Sequence, residues 1–336
     1  MTNHIVGAAL LVLAVGGGCG PRSVPLVARV PRHATPKPGN NWPLPPAEAE
    51  ALFATEPMTL VAAEHTAQGV AGAFKATAMF GRGGRRVEIK WKPVSAGNVD
   101  DWNNNPRKEI AAYLIQRWFL TPQDYVVPTT TLRCLPLTDY RRLDPTATPS
   151  IDGTSCVLGG LSLWMTHVTV PDVLLDSERF AADAHYASHL ADFNLLAYLV
   201  EHRDGRPGNI LVADDPTDRR VFAVDNGISF GGLVYNFLTT NWDVLRVPAL
   251  RREAVARLRA VDRRALDTLR TVAELHADRK GVLQPVTPSA VIDPARGVRS
   301  QNGRLQMGLT TAEIDAVAQR IAALLDRVDR GELPVF

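Results

Sequence analysis

Three oxygen-bearing side chains, Asp204, Asn209 and Asp225, follow one another at short intervals along the chain. The first two come after an apolar stretch that predicts a buried helix, and Asp225 ends an apolar stretch that predicts a strand. Phosphoryl transfer from a nucleotide requires a carboxylate beside the attacking hydroxyl and oxygen ligands for Mg²⁺. These residues therefore predict this chemistry, with Asp204 accepting the hydroxyl proton and with Asn209 and Asp225 holding the metal ion.

The order of these residues resembles the signature of kinases. His202 and Arg203 stand directly before Asp204, four residues separate Asp204 from Asn209, and the segment 225–227 reads Asp-Asn-Gly. His-Arg-Asp followed by four residues and Asn is the catalytic-loop pattern of protein kinases, in which Asp-Phe-Gly supplies the second metal ligand. The resemblance implies a transferase that uses ATP, with Mg²⁺ or alternatively Mn²⁺ as its cofactor.

The closer resemblance is to the atypical kinases, and it covers residues 58–231. The segment 203–212, RDGRPGNILV, is similar to the Asp-Arg-His-Pro-Gly-Asn-Ile-Leu loop of the phosphatidylinositol 3- and 4-kinases. The segment 225–231 is similar to the metal motif of the secretory-pathway kinases related to the Golgi casein kinase. In both families the aspartate precedes the Asn-type ligand by five positions, as Asp204 precedes Asn209.

Two segments nearer the N-terminus resemble the same kinases. The segments 90–93, KWKP, and 109–113, EIAAY, are similar to the Phe-Lys-Pro strand and the Glu-(Ile/Val)-Ala-Ala-Tyr helix of those kinases. The resemblance assigns Lys92 to the α- and β-phosphates and Glu109 to an ion pair with it. Lys90 lies two residues earlier on the same strand and points to the same face. Lys90 therefore remains the alternative phosphate-binding lysine.

Other expected nucleotide contacts follow from chain position. Gly69 and Gly72 stand where a turn would cover the phosphates. The segment that ends at His167 is expected to form the hinge between two lobes, with its backbone groups facing adenine. Met165 or Trp164 would pack against the base.

The order of predicted elements indicates an α+β, two-lobed protein-kinase-like fold. Strands and one helix over 58–168 would form a small antiparallel lobe, and 169–336 would form a larger, mainly helical lobe. The spacing of apolar residues over 255–272 predicts a long amphipathic helix, and Thr310 with Glu313 predicts a capping box at the last helix. Ligands favour the cleft between such lobes.

The N-terminus predicts export. Residues 5–15 form an apolar run that is too short to span a bilayer, which takes about 20 residues, but that suits a secretory signal. Cys19 follows it, as in a bacterial lipoprotein signal over 1–19. A Pro-rich linker would occupy 20–57. We therefore expect an exported bacterial lipoprotein that contacts the membrane only through a lipid anchor at Cys19, or a cytoplasmic protein if the signal does not function.

Composition excludes several classes of protein. The 336 residues are 46% hydrophobic and 21% charged, which is ordinary for a globular chain. A net charge of +2, from 37 Lys and Arg against 35 Asp and Glu, argues against a dedicated nucleic-acid partner. Three cysteines are too few for a disulfide scaffold. Cys134 and Cys156 fall near neighbouring predicted strands, so they would form a disulfide in an exported protein and remain thiols in the cytoplasm.

Together these observations predict an atypical kinase that transfers the γ-phosphoryl group of ATP to a hydroxyl acceptor. A protein Ser or Thr is slightly favoured over a lipid, a sugar or another small molecule. The alternative is a pseudokinase, a nucleotide-binding or scaffolding lipoprotein without turnover. A third hypothesis, transfer of AMP, would need the nucleotide bound in the reverse orientation.

Overall fold

The small lobe is built on a five-stranded antiparallel sheet. The computed structural model of the chain describes residues 41–66, 72–95, 105–206, 208–231 and 242–336. The strands of this sheet are β1 (Met58–His65), β2 (Phe74–Phe80), β3 (Arg85–Pro93), β4 (Thr130–Pro136) and β5 (Cys156–Leu163). Their order across the sheet is β1-β2-β3-β5-β4.

The hairpin between β2 and β3 turns at its glycines, as predicted. Gly81 and Gly84 have positive φ angles of 63° and 64°, which glycine adopts without the steric cost of a side chain. On β3, the side chains of Val87, Ile89 and Trp91 are buried on one face of the sheet. Because side chains alternate along a strand, the two lysines of β3 project from the opposite face.

A helix, α1 (Pro46–Thr55), packs on the face of the sheet that carries these apolar residues. Ala49 and Phe53 are fully buried, and the Phe53 ring stacks on Phe80 with 5.5 Å between centroids. The predicted Pro-rich linker, 20–57, is therefore wrong where this helix lies. Two apolar residues spaced four apart form a buried stripe, and a proline in the first turn of a helix does not disrupt it.

The helix α2 (Pro106–Phe119) begins as predicted. The Asn105 side chain accepts a hydrogen bond from the backbone N–H of Arg107 at 3.1 Å, and Pro106 occupies the first helical position. Nearly every residue of α2 is buried. Its first turn therefore carries Glu109 into the interior between the sheet and the large lobe.

A disulfide joins Cys134 on β4 to Cys156 on β5, with the two Cα atoms 5.5 Å apart. Both residues are buried. The sequence predicted this bond for an exported protein only. A short helix, α3 (Leu137–Tyr140), follows β4. The disulfide ties this edge strand to β5, which runs directly into the segment between the lobes.

The large lobe is organised around α5, a helix buried at most of its positions. A small antiparallel sheet with the order β6-β7-β8 lies beside it. The elements are β6 (Val168–Thr169), α4 (Ser177–Ala182), α5 (Ala184–Leu199), β7 (Ile210–Ala213), β8 (Val221–Ala223), α6 (Arg252–Leu258), α7 (Arg263–Asp267) and α8 (Thr311–Asp329), with 3₁₀ turns at Pro122–Asp124 and Thr268–Arg270. The structure confirms the capping box of Thr310 and Glu313 at the start of α8.

The long helix predicted over 255–272 is wrong, because the chain breaks there into α6, α7 and a 3₁₀ turn. The side chain of Asp262 accepts a hydrogen bond from the backbone N–H of Ala265 at 2.8 Å and caps a new helix. Aspartate side chains compete in this way with continuous helical hydrogen bonding. Apolar spacing alone therefore did not reveal the interruption.

A third sheet follows α7 and packs against the small lobe. Its strands, in the order β10-β9-β12-β11, are β9 (Ala273–Ala277), β10 (Leu283–Pro285), β11 (Val298–Gln301) and β12 (Arg304–Met307). Leu275 and Leu283 share a buried cluster with Leu132 of β4 and Leu158 of β5. The expectation of a mainly helical lobe over the whole of 169–336 is therefore wrong for residues 273–307. The strands there are short, and their apolar residues do not follow the repeat of a helix.

The predicted signal, 1–19, and its Cys19 lie outside the described residues. Within the ranges that the structure describes, no helix has both the length and the apolar character needed to cross a bilayer. The lipid anchor and the export of the chain therefore stay predictions.

We expect Phe53→Ala to lower the free energy of unfolding by about 3–5 kcal/mol, because it empties a buried aromatic site between α1 and the sheet. Urea denaturation measures this loss. The control, Glu48→Ala, removes an exposed ion pair with Arg85 and should cost less than about 1 kcal/mol. Equal, small effects of both changes would mean that α1 is not part of the cooperative fold.

Candidate functional site

A cavity of about 540 Å³ lies between the small-lobe sheet and the large lobe. Both lobes and the segment that joins them contribute to its walls. The lining includes Lys90, Glu109, Thr130, Ser162, Trp164, Met165, His167, Arg206, Asn209 and Asp225. The fold therefore brings residues that are distant in the sequence to one cleft, where two-lobed proteins bind ligands.

Lys92 stands at the centre of the charged groups beside this cavity. Its ammonium Nζ lies 2.8 Å from Glu109 Oε1 and 2.6 Å from Asp225 Oδ1, and only 4% of the residue is exposed. Burial lowers the pKa of Lys92, but the carboxylates of Glu109 and Asp225 outweigh burial and raise this pKa above its ordinary value. Lys92 is therefore charged at neutral pH, and the ion pair predicted with Glu109 is present.

Asp225 faces three cations. Besides Lys92, the Lys90 Nζ and the Arg206 Nη2 each lie 3.7 Å from its Oδ2. Burial raises the pKa of Asp225, but Lys90, Lys92 and Arg206 together hold it far below its ordinary value. Its backbone φ is +60°, a left-handed conformation that costs energy for a non-glycine residue and that clusters at functional sites.

The loop that carries Asp204 is held by its own side chains. The amide Nδ2 of Asn209 donates to the backbone oxygen of Asp204 at 2.9 Å and to its Oδ2 at 2.8 Å. The same Oδ2 lies 3.3 Å from the Arg206 Nε. Because Nδ2 is committed to Asp204, Oδ1 is the atom of Asn209 that can ligate a cation.

The donor atoms fit a hard divalent cation. The amide oxygen of Asn209 and the carboxylate of Asp225 are the oxygen ligands that Mg²⁺ and Mn²⁺ prefer. Among the residues that the structure describes, no group of three or more His, Cys, Asp or Glu side chains could hold a metal. Phosphate oxygens and water would therefore complete the coordination, as is usual for Mg²⁺ at nucleotide sites.

The predicted hinge is anchored by a residue that the sequence analysis had placed in a linker. Asn41 Nδ2 donates to the backbone oxygens of Thr166 and His167 at 3.1 and 2.9 Å. Met165 is buried and lines the cavity beside Trp164. This segment therefore borders the cavity, and the contact of its backbone with adenine stays a prediction.

Of the two glycines predicted to cover the phosphates, Gly72 lies among the described residues. Gly69 lies outside the described residues. Gly72 has a φ of +67°, with open space around its Cβ position, and it precedes Ala73, which lines the cavity. Its contact with phosphates stays a prediction.

The structure adds Arg206 to the site residues that the sequence analysis named. Arg206 contacts both Asp204 and Asp225, so it links the catalytic-loop motif to the metal motif. Its position two residues after Asp204 was the one signal that could have identified it.

His202, directly before Arg203, is completely buried beneath this loop. Neither ring nitrogen has a hydrogen-bond partner among the described residues. Burial lowers the pKa of His202, and the nearby carboxylates of Asp204, Asp225 and Asp243 only partly offset this effect. The imidazole is therefore neutral at pH 7.

Comparison with known proteins gives matches among solved structures only, since no protein-family model and no curated protein matches this chain. A structure of hydra Fam20 with sugar matches with a TM-score of 0.50 and 16% identity over 83% of this chain and 87% of that chain. A Golgi casein kinase matches with a TM-score of 0.46 and 13% identity over 84% and 75% of the two chains. Its form with Mn and ADP bound gives 0.44 and 14% over 86% and 78%.

The likeness to hydra Fam20 is a likeness of fold. It confirms the predicted two-lobed α+β, kinase-like architecture. This is the fold that the resemblance to the secretory-pathway kinases implies. The resemblance to the phosphatidylinositol kinases stays a prediction, and so do the chemical roles of the site residues.

Lys92→Met should lower the free energy of unfolding by about 3–5 kcal/mol, because it removes the ammonium between the buried carboxylate of Glu109 and the half-buried carboxylate of Asp225. Lys90→Met should lower it by less, since its ammonium forms an ion pair only with Asp225 among the residues that the structure describes and lies farther from it, at 3.7 Å. Urea unfolding of both variants tests this difference. A larger loss for Lys90→Met would reverse the assignment of the central lysine.

The lowered pKa of His202 predicts a pH effect on stability. The unfolded chain takes up a proton below about pH 6.5 and the folded chain does not, so stability falls as the pH drops below that value, by at most about 1.4 kcal/mol per pH unit. We expect His202→Gln to flatten the decline between pH 7.5 and 5.5 in urea titrations. The exposed control, His276→Gln, should keep the wild-type slope. An unchanged slope in His202→Gln would contradict the prediction, because it would mean that His202 takes up a proton equally in the folded and the unfolded chain.

Proposed function

We propose that this protein is an ATP-dependent kinase that transfers the γ-phosphoryl group to a hydroxyl. One observation carries the proposal: the ion pair of Lys92 and Glu109 from the small lobe meets Asp225 from the large lobe beside a cavity of nucleotide size. The loop with Asp204 and Asn209 lies next to it. Cations for phosphate, oxygen ligands for a metal and a carboxylate for a proton are thus assembled in one cleft.

Each residue has a defined task in this mechanism. Lys92, held by Glu109, positions the α- and β-phosphates. The acceptor hydroxyl attacks the γ-phosphorus while its proton passes to the carboxylate of Asp204, and the bond to the β–γ bridging oxygen breaks, so that ADP leaves. Asn209 and Asp225 would hold the Mg²⁺ or Mn²⁺, which neutralises negative charge on the phosphates.

A protein Ser or Thr is the favoured acceptor, because the resemblance to the secretory-pathway kinases extends to both the Lys-Pro strand and the Asp-Asn-Gly motif. A sugar is also considered, since the hydra Fam20 structure was determined with sugar. A lipid head group is the third acceptor class. All three present a hydroxyl to the same phosphate-handling residues.

We also propose that the protein is exported. The disulfide of Cys134 and Cys156 supports this location, because buried structural disulfides belong to oxidising compartments. The apolar run 5–15 and Cys19 support it independently. The nucleotide would then have to be supplied in that compartment.

The rival function is nucleotide binding without turnover. A pseudokinase usually lacks a metal ligand or the phosphate-binding lysine, whereas Lys92, Asn209 and Asp225 are all in place. The intact constellation therefore favours catalysis, and a transfer assay separates the two functions.

The experiment uses the purified full chain with Mg²⁺ or Mn²⁺ and γ-labelled ATP, with casein, neutral monosaccharides or phosphatidylinositol vesicles as acceptors. We expect label on one acceptor class and a loss of at least about 100-fold in Asp204→Asn, which removes the proton acceptor. Asp225→Ala should abolish transfer, and the exposed control Asp326→Asn should retain it.

Other outcomes would change the conclusion. Metal-dependent ATP binding by thermal shift, without transfer to any acceptor, would support the pseudokinase. Label from α-labelled ATP on the acceptor would indicate transfer of AMP. Neither binding nor transfer would contradict the ATP assignment.

A further inference from the structure

Strand β3 presents a second lysine to the nucleotide cavity. Lys90 lies on the same face of the strand as Lys92 and lines the cavity. In the pairing with β5, Lys90 lies opposite Ser162 and Lys92 opposite Gly160. Because β5 continues into the hinge after Leu163, the backbone of Lys90 lies nearer the hinge than that of Lys92. The Lys90 side chain therefore leaves the strand at the end of the cavity where the nucleoside would lie.

The two ammonium groups are held differently. Lys92 is buried and makes short contacts with Glu109 and Asp225, at 2.8 and 2.6 Å. The Lys90 side chain is 18% exposed, and its Nζ lies 3.7 Å from Asp225 Oδ2, beyond hydrogen-bond distance. The charge of Lys92 is thus compensated by two protein carboxylates at hydrogen-bond distance, whereas Lys90 faces one carboxylate at a longer distance.

The carboxylate that Lys90 faces is the one proposed to bind the metal ion. Arg206 approaches the same oxygen, Oδ2 of Asp225, at 3.7 Å from the large lobe. A divalent cation bound to Asp225 would repel both side chains, because they are also positively charged. It would replace them as the partner of the Asp225 carboxylate. The anions that arrive with the metal are the nucleotide phosphates, so the ammonium of Lys90 gains a new partner at the same place.

We propose that Lys90 is a second phosphate-binding residue, which contacts the phosphate nearest the nucleoside through its ammonium while its aliphatic stem runs beside the nucleoside. The inference rests on the proposed function, since it assumes a nucleotide in this cavity. It makes the site selective for nucleotides over nucleosides. Lys90 thereby acts together with Lys92 and does not replace it.

The test measures binding of ATP, AMP and adenosine to the full-length protein by titration calorimetry, with and without Mg²⁺. Lys90→Met keeps the length of the stem and removes the charge. We expect about 10- to 100-fold weaker binding of ATP and AMP, the range for loss of a hydrogen bond between charged groups, and unchanged binding of adenosine. Lys90→Arg should stay within about threefold of the wild type, because it keeps the charge.

A matched control lies on the same strand. Arg86 lies four residues before Lys90 on β3, it is exposed, and it does not line the cavity. Arg86→Met should therefore bind all three ligands as the wild type does. Thermal unfolding of each variant verifies that it is folded before titration.

Three results would overturn the inference. Wild-type affinity for ATP and AMP in Lys90→Met would show that the ammonium does not bind phosphate, and it would leave the proposed function intact. Tighter ATP binding in that variant would mean that Lys90 competes with the ligand for the site. If the wild type binds no nucleotide, the inference and the proposed function fail together.

Discussion

The ion pairs that Lys92 makes with Glu109 and Asp225 are the constraint on which the site depends. They join β3, the first turn of α2 and the segment after β8, which are three elements from two lobes. Buried charges are costly unless their partners are in place, so a shift of any one element would leave a charge uncompensated. The position of the small lobe over the large one is therefore coupled to the geometry of the charged groups around Lys92.

Helix α2 is anchored by the two residues that precede Glu109, which explains how this glutamate is held. Arg107 forms two contacts with Glu313 at the start of α8, at 2.7 and 3.0 Å. Lys108 Nζ donates to the backbone oxygen of Ser229, beyond the metal motif, at 2.9 Å. The last helix and the loop after Asp225 thus set the orientation of α2, and through it the ion pair with Lys92. The sheet β9–β12 adds apolar contact with the small lobe on the same side.

Much of the site could be predicted because its residues belong to short motifs. The spacing of Asp204, Asn209 and Asp225 and the N-terminal cap of α2 depend on neighbours in the sequence, so the pattern identifies them. The helix α1 and the sheet β9–β12 could not be predicted, because their apolar residues are buried by packing on strands that are far away in the sequence. The break before α7 depends on one capping aspartate, Asp262. The spacing of apolar residues does not reveal such a cap.

The sequence by itself determined the order of the residues that we propose for phosphoryl transfer, and it predicted the two-lobed kinase-like fold. It favoured Lys92 as the phosphate-binding lysine and left Lys90 as the alternative, because both point to the same face of one strand. Tertiary structure gave the two lysines different surroundings: of the two, only Lys92 lies within hydrogen-bond distance of Glu109 and Asp225, since α2 and the segment after β8 converge on it. Tertiary structure also brought Arg206 close to Asp225, placed Asn41 against the hinge backbone and paired Cys134 with Cys156. Distances between groups remote in the sequence depend on packing, and packing is a property of the whole chain.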